Sequence, residues 1–302
     1  MKRTFLLFLT LLALAFLPAV AEGRLKVVAA NFPCFDFARQ VAGERGEVSL
    51  LIKPGVEVHA YEPTPADIVA IGQADLFVYI GGEGDAWADN ILSGFDGADA
   101  PVALRMMDAV TPLEEEGGEA HDAHDAPEYD EHIWTSPKNA MAMMRALADA
   151  LCGLDAGNAD AYRAAAEDYI AQIAELDAAF REVVANGKRR ELVFADRFPF
   201  LYFTREYGLD YLAAFPSCTA DSEPTPRILM ELIRRVAEDR IPAVYAIEMS
   251  TQAVARTVAE ETGAEILTLH SMQTVTQDEF DAGETYVSLM TRNLEAVRKG
   301  LN

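Results

Sequence analysis

Short apolar runs alternate along the chain with stretches whose apolar positions recur every three or four residues. In the first half the runs at 25–30, 48–52, 76–80 and 102–105 predict strands, and the segments 35–41, 65–71 and 86–92 predict helices. The start of the second helix is marked locally. Thr64 precedes Pro65, with Asp67 three positions after the cap. An Ala- and Met-rich helix is predicted from Pro137 to about residue 151, and Met141, Met143 and Met144 fall on its apolar face. A longer period-3.6 stretch runs over 160–185 without a break, carrying Tyr162, Ala165, Tyr169, Ile173 and Leu176. About 26 helical residues would span roughly 39 Å. A second series follows Gly187, with strands predicted at 191–195, 211–214, 243–247 and 265–269 and helices at 200–207, 226–238, 251–262 and 285–299. Strands alternating with helices indicate mainly parallel sheets covered on both faces. The predicted fold is α/β. Two lobes, 22–155 and 188–302, each have a mainly parallel sheet flanked by helices, and one long rigid helix at 156–187 joins them.

Two segments break this pattern. Residues 1–21 carry Lys2 and Arg3, an apolar run and Ala19-Val20-Ala21, the layout of a cleaved secretion signal. The run is too short for a membrane anchor, and no lipid-attachment cysteine follows it, so a soluble protein exported to the periplasm or cell envelope is expected. Residues 114–131 are acidic and lack apolar periodicity, which reads as an exposed loop. His121 and His124 lie within it among carboxylates. It is either a solvated insertion or an accessory metal-collecting loop.

Charge narrows the partners. The formal net charge is −24, and removal of Lys2 and Arg3 leaves −26, which disfavours nucleic acid. There are three cysteines, Cys34, Cys152 and Cys218. In an oxidising compartment one disulfide is expected, with Cys34–Cys218 the first candidate pairing, although spacing alone does not fix connectivity. Without a C-x-x-C pair, a thiolate metal site is not expected.

Four residues fall at or beyond element ends: His59 and His132 in the first lobe, Asp196 and His270 in the second. Three imidazoles and one carboxylate suit a tetrahedral zinc site shared between lobes. The residue types leave alternatives open. Asp196 could pair with Arg197 or Arg205, and Glu248 could supply the carboxylate or orient an imidazole.

Val58-His59-Ala60-Tyr61-Glu62-Pro63-Thr64-Pro65-Ala66-Asp67 resembles the first metal-ligand motif of the zinc/manganese solute-binding proteins of ABC transporters. Glu131-His132-Ile133-Trp134-Thr135-Ser136-Pro137 resembles their second, and the acidic loop before it a shortened form of their His-rich insertion. Ala246-Ile247-Glu248 and the segment from Thr285 to Leu294 resemble later parts of the same family, so the likeness covers essentially the whole exported chain. Two positions depart from the family pattern. Asp196 stands where that family ordinarily has His or Glu, and His270 where it has Asp; together the changes keep three His and one acid. The resemblance implies a monomeric receptor that captures Zn2+ (or, alternatively, Mn2+) between its lobes and delivers it to an ABC permease, with no catalysis. The competing class is a secreted zinc hydrolase with Glu248 as general base. The chain lacks an H-E-x-x-H helix, and four candidate ligands leave no open coordination position.

Overall fold

A computed structural model describes residues 23–95, 97, 100–115, 128–215 and 224–302. The predicted signal segment, His121, His124 and Cys218 lie outside the described residues. Four strands form the first sheet: β1 (Leu25–Ala29), β2 (Gly46–Leu50), β3 (Leu76–Tyr79) and β4 (Val102–Arg105), in the order β2-β1-β3-β4. Four more, β5 (Glu191–Phe194), β6 (Asp210–Ala213), β7 (Ala243–Ala246) and β8 (Glu265–Thr268), repeat that order as β6-β5-β7-β8. Every pairing is parallel.

The alternation along each central strand explains the layering. Val27 and Ala29 of β1, Leu76 and Val78 of β3, Leu192 and Phe194 of β5, and Ala243 and Tyr245 of β7 all face one shared core. Their neighbours Val28, Phe77 and Tyr79 face away, under α2 (Pro65–Gly72) and α3 (Ala86–Leu92). On the second sheet Val193, Val244 and Ala246 face away, under α7 (Pro226–Glu238) and α8 (Ala253–Thr262). The strands are therefore apolar on both faces, as buried parallel strands must be.

The shared core is filled by α1 (Phe32–Ala42), α4 (Pro137–Leu154), α5 (Ala159–Asn186), α6 (Leu201–Tyr207) and α10 (Tyr286–Gly300). The long helix α5 has 28 residues and buries Tyr162, Ala166, Tyr169, Ile173, Phe180 and Val184 along one stripe. It packs on α1, α4 and α10. It is thus not a strut in solvent but the spine of one continuous core between the sheets.

The local differences from the predicted elements have local causes. Helix α1 starts at Phe32, earlier than the apolar periodicity suggests, because Asn31 caps it: its Oδ1 accepts the Cys34 N–H at 3.3 Å. The short α9 (Gln277–Asp281) rests on a reciprocal capping box between Thr276 and Glu279, not on an apolar face. Cys34 and Cys152 are both buried and free among the described residues, and the candidate partner Cys218 lies outside them. No described helix is long and apolar enough to cross a membrane.

Candidate metal centre

In both sheets the chain leaves the central strands in opposite directions, opening a crevice beyond their carboxyl ends. The candidate residues gather on the loops there. His59 lies between β2 and α2, and the loop that carries it is fixed by the Thr64–Asp67 capping box at the start of α2. His132 lies just before α4, whose Ser136 side chain accepts the Asn139 N–H. Asp196 follows β5, Glu248 follows β7 and His270 follows β8.

The structure brings His59 and His132 together. Their ring centroids are 5.5 Å apart, and both Nε2 atoms converge on the side-chain amide of Gln273, from the second lobe. Gln273 Nε2 is 2.7 Å from His59 Nε2 and in closer contact still with His132 Nε2. An amide NH2 has two hydrogens, one for each imidazole lone pair. Accepting at Nε2 leaves the proton of each neutral ring on Nδ1. That matches the other side of His132, where Nδ1 is 3.0 Å from Asp130 Oδ1, and that oxygen also accepts the His132 N–H at 2.8 Å. His59 Nδ1 faces Glu131 Oε1 at 3.7 Å, too far for a hydrogen bond, and has no partner. The pair is thus held in the tautomer that points two nitrogen lone pairs at one spot, the form a metal requires.

Burial and charge favour a neutral imidazole at His59. Desolvation first, and then the neighbouring His132, push the His59 pKa down to about 4 against the pull of the Glu57 carboxylate. Burial raises Glu131 to about 7, although its Oε1 accepts the Gly84 N–H at 3.2 Å. A Cβ at Gly84 would lie 2.7 Å from the Glu131 carboxylate, which would have to shift to make room. A cavity of about 250 Å³ opens beside the pair, lined by Glu83, Glu115, Glu128, Asp130 and Glu131 as well as the two imidazoles.

The second-lobe candidates sit in other surroundings. His270 is buried, its Nδ1 accepts the Met272 N–H at 3.0 Å, and its Nε2 lies 3.6 Å from Glu279 Oε2 without a hydrogen-bond partner. Burial opposes its ionisation, but Glu248 and Glu279 outweigh burial and raise its pKa. A doubly protonated ring could not accept from Met272, so the hydrogen-bond geometry is that of the neutral Nε2–H form. Glu248 itself receives the Ser271 N–H at 2.6 Å and the Ser271 hydroxyl, fixing the loop that carries Gln273. That loop is strained, with non-glycine Met272 at φ +64° and fully buried. Asp196 is buried; its Oδ1 accepts the Arg197 N–H at 2.9 Å, and its Oδ2 has no partner. Among the described residues no group of three or more His, Cys, Asp or Glu side chains is disposed to hold a metal.

Gln273, Asp130 and Glu131 escaped the sequence reading. Glu131 adjoins His132 in the second motif, where nothing in the residue pattern gives it a role of its own. Gln273 is uncharged and lies three residues beyond His270, so neither charge nor strand-end position singled it out.

Fold and site together define a two-lobed α/β protein with an imidazole pair at the lobe junction. The chain belongs to the ZnuA family, described as the periplasmic component A of the zinc-uptake complex, whose model matches residues 27–300. It is 31% identical over 309 residues to the zinc-binding lipoprotein AdcA of Streptococcus pneumoniae, covering 99% of this chain and 61% of the relative. It thus spans about three fifths of that relative's length. It is 30% identical to the high-affinity zinc uptake system protein ZnuA of Bacillus subtilis over 92% of this chain and 88% of the relative. The crystal structure of the Zn(II)-bound ZnuA-like domain of S. pneumoniae AdcA superposes with a TM-score of 0.78 at 30% identity, covering 92% of this chain and 99% of that one. The family is one of solute-binding receptors.

Proposed function

We propose that this protein is an exported receptor that takes up Zn2+ at the lobe junction and presents it to an ABC permease. The observation that carries the reading is the convergence of His59 Nε2 and His132 Nε2 on one point, in the tautomer that directs both lone pairs, now accepting from the Gln273 amide, at the place a cation would take. Zinc favours imidazole nitrogen, whereas manganese favours more oxygen, so an imidazole pair supports zinc over the manganese alternative. Its relatives' names, and the zinc-bound ZnuA-like domain, point the same way.

The second lobe supplies the remaining donors. Gln273 already touches both imidazoles; rotating its amide by half a turn exchanges nitrogen for Oε1 at the same place, an oxygen able to face a cation. Asp196 Oδ2 and His270 Nε2, buried and without partners, are the further ligands of the proposed set His59, His132, Asp196 and His270; each must turn from its present contacts to join, and His270 must also move its ring proton off Nε2. Glu248 acts through Ser271, positioning the loop. His121 and His124 would serve as collectors ahead of the site. Binding and release need no bond-making step, so the receptor is not an enzyme.

The test is metal content and competitive affinity of the exported chain with zinc and manganese offered together. One zinc per chain, lost on His59→Ala, is the expected result. A chain that takes up neither metal would overturn the reading, and one that prefers manganese would replace the cargo.

A further inference from the structure

The imidazole pair sits where the two lobes meet, so parting of the loops around it widens the way out for a cation held there. Two buried links across the junction beside the imidazole pair are uncharged: Tyr202 Oη donates to the Asp130 carbonyl at 2.7 Å, and Trp134 Nε1 donates to the Ser271 carbonyl at 2.7 Å. A third link there is an ion pair. Glu57, two residues before His59, pairs with Arg197, the residue after Asp196, with Nη1 3.1 Å from Oε2. The side chains are 46% and 28% exposed, so water reaches this contact. The same first-lobe loop is tied to the segment after β8 where the Gly55 N–H donates to the Val275 carbonyl at 2.9 Å. Between the two ties lies a cavity of about 110 Å³, bordered by Glu57, Arg197, Glu248, Met249, Gln273 and Thr274.

We infer that the Glu57–Arg197 ion pair is a latch at the mouth of the junction that slows departure of the cargo, acting on the loops and not on the cation. The inference rests on the receptor reading above. The ion pair joins the loop of His59 to the turn of Asp196, so separating the lobes at this edge must break it. A half-exposed pair contributes little at equilibrium, but it must open before these loops part, so its contribution appears in the off-rate.

The geometry makes a prediction that simple charge does not. Acting through space, Glu57 would attract a bound cation and Arg197 would repel it, so neutralising them would move the off-rate in opposite directions. A latch needs both partners. The experiment measures zinc dissociation from the full exported chain by stopped-flow transfer to a chelator, for the parent, Glu57→Gln, Arg197→Gln and the swap E57R/R197E. Both single variants should release zinc about two- to fivefold faster, and the swap should return the rate to near that of the parent. Raising salt should accelerate the parent towards the single variants and leave those variants unchanged. Opposite shifts in the two single variants, no shift in either, or a swap that fails to restore the rate would overturn the latch while leaving the receptor reading intact. A parent that binds no zinc overturns the receptor reading and the latch with it.

Discussion

The Asp36 carboxylate, fully buried in α1, accepts the backbone N–H of Tyr286, the first residue of α10, at 2.8 Å across 250 positions of sequence. The same oxygen accepts the Tyr169 hydroxyl of α5 at 2.7 Å, and the other accepts Arg39 Nε at 2.8 Å. One carboxylate therefore fixes three helices that belong to the first lobe, the spine and the second lobe. Asp36→Ala leaves a backbone N–H, a phenol and a guanidinium without their acceptor, at a cost of about 3–5 kcal/mol. Urea unfolding should show a lower midpoint with an unchanged slope; a loss below about 1 kcal/mol would mean that water replaces the carboxylate.

The turn after β3 stores a different kind of cost. Asp85 is buried, and its Oδ2 accepts the N–H groups of Ile80 and Gly81 at 2.8 and 3.1 Å. Desolvation outweighs these bonds and raises its pKa to about 6. A carboxyl whose folded pKa lies above its unfolded value of about 3.9 binds a proton more tightly when folded. Its contribution to stability is therefore complete below about pH 4 and is lost as pH rises through about 6. Asp85→Asn keeps an accepting oxygen and has no charge to bury. Its stability relative to the parent should rise by about 2–3 kcal/mol between pH 4 and 7. Parallel pH profiles for the two proteins would show that the carboxylate is solvated.

Helix α10 ends against β7 with no room to spare. A Cβ at Gly300 would collide with the ring and hydroxyl of Tyr245, whose Oη donates to the Ala296 carbonyl at 3.2 Å. Gly300→Ala should cost about 1–3 kcal/mol through overpacking. Adding Tyr245→Phe removes the colliding oxygen, so the double variant should be more stable than the sum of the two single losses. Strict additivity in thermal unfolding would place the strain elsewhere.

Much of this molecule is legible in its sequence because its signals are local. The predicted strands, the long helix and the Thr64-Pro65 start rest on periodicity and caps, and the structure reproduces them to within a few residues. The fusion of both inner sheet faces and α5 into one core could not be read, since nothing in a strand's alternation says which sheet it will face. The site divides on the same line. His59 and His132 announce themselves as imidazoles in stiff, Pro-flanked loops, and the structure places them together. Gln273 joins them only because Ser271 and Glu248 bend its loop, with Met272 at positive φ, and that bend is a tertiary event.

Gln273 is therefore the residue whose replacement says most about the site. Leucine has nearly the same volume but neither an N–H for the two imidazoles nor an oxygen for a cation. In Gln273→Leu both Nε2 lone pairs lose their donor, and the His59 ring, whose Nδ1 has no partner, is free to adopt the other tautomer, while Asp130 still holds that of His132. Zinc binding then has to reset the His59 tautomer and forgo one oxygen contact, and its affinity should fall at least about tenfold, equivalent to about 1.4 kcal/mol. Gln273→Glu puts a charged oxygen in the same place and should bind zinc more tightly than the parent. Competition against a chromogenic chelator at fixed pH and salt ranks the three proteins directly. If the leucine variant bound zinc as tightly as the parent, the amide would be a bystander, and the second lobe would have to reach the cation through Asp196 and His270 alone.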